Sequence, residues 1–222
     1  MTTTHTSGLL AGVGRTDITP PPDCTLAGFA ARDHRAEGIH DDLTATALAL
    51  RAGESTAVIV ALDLISISDE HLDYIRSGLA RSHGLAPRQV LVNCSHSHSG
   101  PVTGISDFDL SFSGLCPYRG DPEYLDSMKK RILEAITAAL DSMVPAKAFR
   151  GLGETHIGIS RRASDTSIYK GPASGDFGIF SNYPNPGMEI DHACPVLFVK
   201  DRGGAPLALL FHAGRKVVGV GG

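Results

Sequence analysis

The sequence predicts an α/β fold with at least one pair of parallel strands. Three features predict it: an apolar, β-branched run at Ala57–Leu64, a second apolar run at Gln89–Cys94, and between them a segment whose apolar residues recur at helical spacing. Taken in order, the chain opens with Gly12-Val-Gly-Arg-Thr-Asp-Ile-Thr-Pro-Pro-Pro-Asp23, where Gly and Pro favour extended or turning backbone over helix. This reads as a strand followed by a loop. Small and apolar residues alternate loosely from Thr44 to Leu50, and after the turn at Gly53-Glu54 the nearly continuous run Ala57–Leu64 has the pattern of a strand covered on both faces.

Ser68 then stands before Asp69 and Glu70, a capping position followed by acids suited to the positive end of a helix dipole. Leu72, Ile75 and Leu79 form the apolar stripe, and Gly84 is the expected stop. The strand Gln89–Cys94 follows at once, so residues 57 to 94 read as a βαβ unit whose crossover makes its strands parallel. The polar, Gly-rich and aromatic stretch Ser99–Gly120 reads as a long loop that walls a site. Asp121-Pro122 opens a second helix with Leu125, Met128, Ile132, Ile136 and Leu140 on one stripe, Lys129, Lys130 and Arg131 largely off it, and Pro145 at its end. Further strands are expected at Ala146–Leu152, His156–Ser160, Val196–Lys200 and Leu207–His212, with the Gly/Pro/Ser-rich segment Ala163–Met188 among them. No internal repeat is visible, and residues 1–222 read as one domain.

Composition narrows the function. With 42% hydrophobic residues the 222-residue chain has enough apolar side chains for a buried core. A formal charge of -4, from 20 basic and 24 acidic residues without long runs of either sign, gives no footprint for nucleic acid. No apolar stretch approaches the roughly 18 residues of a membrane span, and the opening Met1-Thr-Thr-Thr-His-Thr-Ser lacks the basic and apolar regions of an export signal. A cytoplasmic location is the expectation. The four cysteines form no C-x-x-C pair, which excludes a zinc ribbon and a thioredoxin-like motif, and they are expected to be reduced and buried.

Chemistry concentrates at Ser95-His96-Ser97-His98-Ser99-Gly100-Pro101, directly after the strand ending at Cys94. Ligands of α/β sheets sit outside the carboxyl ends of the strands, and two histidines two apart in extended backbone project to the same side. Neutral imidazole suits Zn²⁺, and one histidine can bind metal while its neighbour moves protons or positions the attacked group. The alternative is a pair of loop histidines engaged only in hydrogen bonds; position at a strand end shifts the balance toward metal. Two other users of H-x-H are disfavoured. A metallo-β-lactamase pattern continues with Asp and His where Ser99 and Gly100 stand, and amidohydrolase barrels carry the motif on their first strand, whereas two strands precede it here.

The segments Gly12-Val-Gly-Arg-Thr-Asp-Ile-Thr, Leu26-Ala-Gly-Phe29, Gly38-Ile-His-Asp-Asp-Leu43, Ala61-Leu-Asp63 and His96-Ser-His-Ser-Gly-Pro101 occur in the order and spacing of the neutral/alkaline ceramidases, which nearly the whole chain resembles. The resemblance is strongest at the last segment. It implies a mixed sheet covered by helices in α-β-α layers, and hydrolysis of the amide bond of ceramide or a similar N-acyl lipid. It further implies that His96 binds Zn²⁺, that His98 lies beside the reacting amide, and that Arg161, in Ile159-Ser-Arg-Arg162, faces the site. For the two arginines alone, a solvated basic pair is an equal reading. In such a scheme zinc lowers the pKa of water from about 15.7 toward 7 and polarises the carbonyl, and His98 assists proton transfer to the leaving nitrogen.

The chain also departs from the family pattern. Where bacterial members carry a second zinc histidine, the stretch His212-Ala-Gly-Arg-Lys-Val-Val218 places Arg215, which stays protonated and cannot bind zinc. His212 is the candidate replacement. The family's remaining ligands, a glutamate and a tyrosine, and its carboxyl-terminal β-sandwich fall beyond residue 222. The expectation is therefore an amino-terminal portion of a catalytic domain whose site is complete only in a longer chain. The competing expectation is a degenerate or truncated relative that keeps the fold and part of a lipid cleft without catalysis. Phe108, Leu110, Phe112 and Leu115 offer either part of an acyl-chain wall or anchors for their loop.

Overall fold

The structure, a computed structural model, describes residues 2–3, 8–28, 32, 34–104, 120–160 and 187–212. Their elements run β1 (Thr2–Thr3), β2 (Leu9–Asp17), β3 (Thr44–Ala52), β4 (Ser55–Leu62), α1 (Asp69–His83), a single 3-10 turn (Pro87–Gln89), β5 (Val90–Cys94), α2 (Pro122–Asp141), β6 (Val144–Glu154), β7 (Ala193–Asp201) and β8 (Pro206–Phe211). The hydrogen-bonded order is β5-β4-β3-β2-β6-β7-β8, with β1 paired to β6. β2, β3 and β4 form an antiparallel meander, while β4 and β5 are parallel in the register Val58–Val90 to Leu62–Cys94. The sheet is thus mixed, and the expected βαβ unit is present as β4-α1-β5.

The chain divides into two compact units. In the larger, whose described residues are 8–28, 32, 34–104, 120–148 and 198–208, both helices lie on one face of the sheet. Small residues make the seat for α2. Gly12 and Gly14 on β2 lie opposite Ala49 and Ala47 on β3, which in turn pair with Val58 and Val60 on β4. With no side chain in the way, the helix backbone comes so close that a Cβ at Gly14 would stand 2.0 Å from the Ala135 carbonyl oxygen, and one at Gly12 would stand 2.1 Å from that of Ala139. Met128, Ile132 and Ile136 of α2, with Ile75 and Leu79 of α1, then close over Val58, Val60 and Leu62, and all eight side chains are buried.

Helix ends follow their sequence signals. Asp121 caps α2, its carboxylate accepting from the backbone N–H groups of Glu123 (2.9 Å) and Tyr124 (3.0 Å), and Pro122 takes the first helical position. Tyr124 reaches across the core, its hydroxyl donating to the Ile18 carbonyl at 2.8 Å. At α1, Gly84 terminates the helix in the left-handed region (φ 64°). Ser68 occupies the N-cap position, but its hydroxyl makes no cap bond. The buried stripe of α1 is His71, Ile75, Gly78 and Leu79, so His71 rather than Leu72 faces inward.

Two expectations differ from what is observed. Burial along β4 alternates, with Val58, Val60 and Leu62 buried while Ala57 and Ala61 are exposed. On β5, Leu91 is 61% exposed, so this strand pair is covered on one face at these positions rather than on both. In addition, His156–Ser160 is irregular rather than a strand, because its apolar alternation is not matched by burial: Ile157 and Ile159 are exposed.

The smaller unit comprises, among described residues, 2–3, 149–160, 187–197 and 209–212. Thr2 and Thr3 pair with Arg150 and Phe149, and Thr155 donates its N–H to the His192 carbonyl at 2.9 Å. Cys24, Cys94 and Cys194 are free thiols, the first buried and the other two half-buried; Cys116 lies outside the described residues. Among described residues no helix is long and apolar enough to cross a membrane.

Candidate active site

The two motif histidines leave the carboxyl end of β5 beside that of β4. Main-chain pairing continues past the strand end, since Ser95 and His96 donate their N–H groups to the carbonyls of Leu62 and Leu64, both at 2.9 Å. His96 then adopts φ 61°, the one positive φ at a non-glycine residue among the described residues. This region costs an L-residue of order 1 kcal/mol or more and recurs at functional sites. Extended backbone, as the sequence suggested, is therefore not what brings the rings together. The left-handed turn at His96 does so instead, with the ring of His98 edge-on to that of His96, 4.9 Å between centroids and 74° between planes.

One tautomer of His96 follows from its neighbour. Its Nδ1 lies 3.0 Å from the Ile65 carbonyl oxygen. A carbonyl only accepts, so Nδ1 carries the proton and donates, leaving the lone pair on Nε2 of an exposed ring. That arrangement fits a metal ligand, because ligating histidines commonly donate their other N–H to a carbonyl or carboxylate, which orients the ring. Cys94 is a poor competitor for metal or substrate: burial pushes its thiol up to about 11, so it stays protonated at neutral pH.

The chain leaving the motif is tied on two sides. Ser97 Oγ accepts from the N–H of Ser99 at 3.2 Å, and Thr103, fully buried, donates its hydroxyl to the Ser66 carbonyl at 2.6 Å. Gly100 is buried beside the Asp63 carbonyl and the Leu43 side chain. Asp63 itself pins the start of β3, accepting from the Thr44 N–H at 3.0 Å and hydroxyl at 2.8 Å. On the other side runs Thr25–Gly28: Ala27 donates to the Gly100 carbonyl, Val102 donates to that of Thr25, and Leu26 bridges Pro101. Arg32 adds two bonds, donating to the carbonyls of Ala27 (3.2 Å) and His98 (3.3 Å).

His96 and His98 are thus brought together within the larger unit. His212 follows β8 in the smaller unit, exposed, with its N–H donating to the Pro195 carbonyl at 3.1 Å. Arg161, Arg215 and the loop residues Phe108, Leu110, Phe112 and Leu115 lie outside the described residues. Among described residues, no group of three His, Cys, Asp or Glu side chains converges as a metal cage. Sequence reading missed Arg32 and the carbonyls of Leu64 and Ile65. Backbone acceptors have no sequence signature, and Arg32 lies 66 residues from His98.

Comparison with known proteins agrees with this architecture. The family model for neutral/alkaline non-lysosomal ceramidase, N-terminal, matches residues 9–175. The neutral ceramidase of Mycobacterium tuberculosis (strain ATCC 25618 / H37Rv) is 25% identical over 173 residues, which is 74% of this chain and 26% of that protein. Neutral ceramidase 2 of Arabidopsis thaliana is 28% identical over 170 residues, 74% of this chain and 22% of that protein. Among solved structures, the neutral ceramidase from Pseudomonas aeruginosa superposes with a TM-score of 0.71 at 23% identity, covering 92% of this chain and 31% of the other. A ceramidase complexed with C2 gives 0.70 at the same identity, covering 92% and 30%. The chain therefore spans about a quarter of the length of these curated relatives.

Proposed function

Since this chain belongs to the neutral/alkaline non-lysosomal ceramidase family through residues 9–175, we propose that it contributes His96 and His98 to a zinc-dependent site hydrolysing the amide bond of ceramide or a ceramide-like N-acyl lipid. The observation that carries this reading is His96 at the end of a parallel strand, Nδ1 committed to Ile65 and Nε2 left with its lone pair, against the ring of His98.

His96 would hold the metal through Nε2. When bound, zinc supplies a Lewis acid that polarises the amide carbonyl and brings the acidity of water near neutrality. In the reaction the C–N bond breaks, the acyl carbon gains the oxygen of water, and the amine nitrogen gains a proton. His98 is the group proposed to carry that proton, a task typically worth 10²–10⁴-fold in rate. One histidine does not hold zinc alone, since catalytic sites use three protein ligands. His212 as the second ligand and Arg161 as a further active-site group are proposals carried by the family resemblance.

A second reading is favoured by Arg215, a residue that cannot ligate zinc: a non-catalytic relative that keeps the fold without the full metal site. Release of sphingoid base from a short-chain ceramide separates the two. The enzymatic reading expects zinc-dependent turnover that falls on the order of 100-fold or more in His98→Ala. Turnover left unchanged by both His96→Ala and His98→Ala contradicts it, and a chain extended to carry the remaining ligands that shows neither turnover nor retained zinc supports the second reading.

A further inference from the structure

The two histidines are held by different parts of the chain. His96 is fixed by the segment that leaves β4, through its N–H on Leu64 and its ring on Ile65. The backbone of His98 is gripped by a different segment. Gly28 has φ 106°, and a Cβ built on it would stand 2.6 Å from the Cα, Cβ and Cγ of His98. Any side chain there would have to push the root of the imidazole away, and the positive φ disfavours one in any case. Arg32 then spans the junction, one terminal nitrogen on the Ala27 carbonyl and the other on the His98 carbonyl. Those carbonyls belong to two chain segments already paired through Ala27 and Gly100. A planar guanidinium can donate along two directions at once from a fixed fork, whereas an ammonium is a compact point charge without that geometry.

We propose that Arg32 and Gly28 are positioning residues for His98: they fix where its imidazole stands against His96, without contributing to metal ligation. The proposal rests on the reading of His98 as the catalytic neighbour of a metal-bound His96. It predicts a separation of effects that a general loss of stability would not give. Loosening the grip displaces His98 while His96, tied to Leu64 and Ile65, keeps its place.

The test compares wild type, Arg32→Ala, Arg32→Lys and Gly28→Ala by NMR and by amide hydrolysis. The imidazole protons are assigned from His96→Ala and His98→Ala spectra. In the wild type, rings 4.9 Å apart give a cross-relaxation peak between the His96 and His98 ring protons. Arg32→Ala and Gly28→Ala are expected to weaken that peak several-fold and shift the His98 ring resonances, leaving zinc retention as in the wild type. The turnover number should fall on the order of 10–100-fold with little change in KM. Added guanidinium should recover part of the loss in Arg32→Ala, and Arg32→Lys should be intermediate. A His96–His98 peak and His98 shifts identical to wild type in Arg32→Ala overturn the proposal, as does equal loss of the His96 contacts. Should Gly28→Ala not fold, the two Arg32 variants decide alone. Should the wild type show no hydrolysis, the ring contact alone decides the positioning role.

Discussion

Gly14→Ala is the substitution for which the structure gives the sharpest magnitude. The new Cβ would meet the Ala135 carbonyl oxygen at 2.0 Å and the Ala139 nitrogen at 2.7 Å, where a carbon–oxygen contact needs about 3.3 Å. Both neighbours are helix backbone, so no side-chain rotation relieves them, and α2 must lift by roughly 1 Å. Lifting it also draws Met128, Ile132 and Ile136, all buried without exposure, off Val58 and Val60. A gap of that size forfeits about a quarter to a half of each contact's dispersion well. Overpacking of this kind costs about 1–3 kcal/mol, and two rigid neighbours place Gly14→Ala at the upper end. Against this, Ala restricts the unfolded chain and returns about 0.4–1 kcal/mol. A net loss of about 2 kcal/mol should lower Tm by roughly 4–8 °C in a domain of this size. The assay is thermal and urea unfolding followed by circular dichroism, with Gly38→Ala as control because Gly38 is exposed with open space around it. If Gly14→Ala unfolds within about 0.5 kcal/mol of that control, the close seating of α2 on β2 is wrong.

Other outcomes follow from the same packing. His71 is buried with no hydrogen bond to Nε2, and burial lowers its pKa below the ordinary 6.5, with Glu70 opposing and Lys129 adding to the shift. As pH falls through 6.5 the unfolded chain takes up this proton before the folded one. Stability is therefore complete above that pH and declines below it until the folded pKa is passed. His71→Leu should flatten that decline between pH 7 and 5.5 and raise stability by about 1 kcal/mol at neutral pH, read from urea midpoints; an unchanged acid slope contradicts the assignment. Asp121→Ala should cost about 1 kcal/mol by removing the cap of α2, measured the same way, with Asp121→Asn largely retaining it. Tyr124→Phe strands the Ile18 carbonyl in the core and should cost about 1–2 kcal/mol; a neutral result would show that carbonyl to be satisfied otherwise.

Much of this architecture is legible locally. Ser68, Gly84, Asp121 and Pro122 mark helix ends because capping is decided within one turn of backbone. The parallel pair β4–β5 follows from an apolar run, a helix and a second apolar run, since a crossover of that length leaves one handed solution. The His96–His98 pair is legible because a strand end is readable and the residues adjoin it. What escapes is long-range or concerns backbone. The Gly12-Val-Gly14 pattern reads as turn punctuation until a helix is seen resting on it. His71 in place of Leu72 reflects the rotation of α1 about its axis, set by where Leu133 of α2 meets Gly78. The segment His156–Ser160 alternates like a strand, but alternation marks a strand only where one face is buried, and Ile157 is 76% exposed. The positive φ of His96 and the reach of Arg32 depend on partners 31 and 66 residues away.

The central claim is that Nε2 of His96 binds zinc, and a competition titration of the purified chain against a chromophoric zinc chelator tests it most directly. With His212 as the proposed partner ligand, zinc binding by the wild type is expected to be weak but measurable, to fall on the order of 10–100-fold in His96→Ala, since even outer partners of a ligand are worth that much, and to stay near wild type in His98→Ala and Arg32→Ala. Zinc affinity in His96→Ala equal to that of the wild type would contradict that claim.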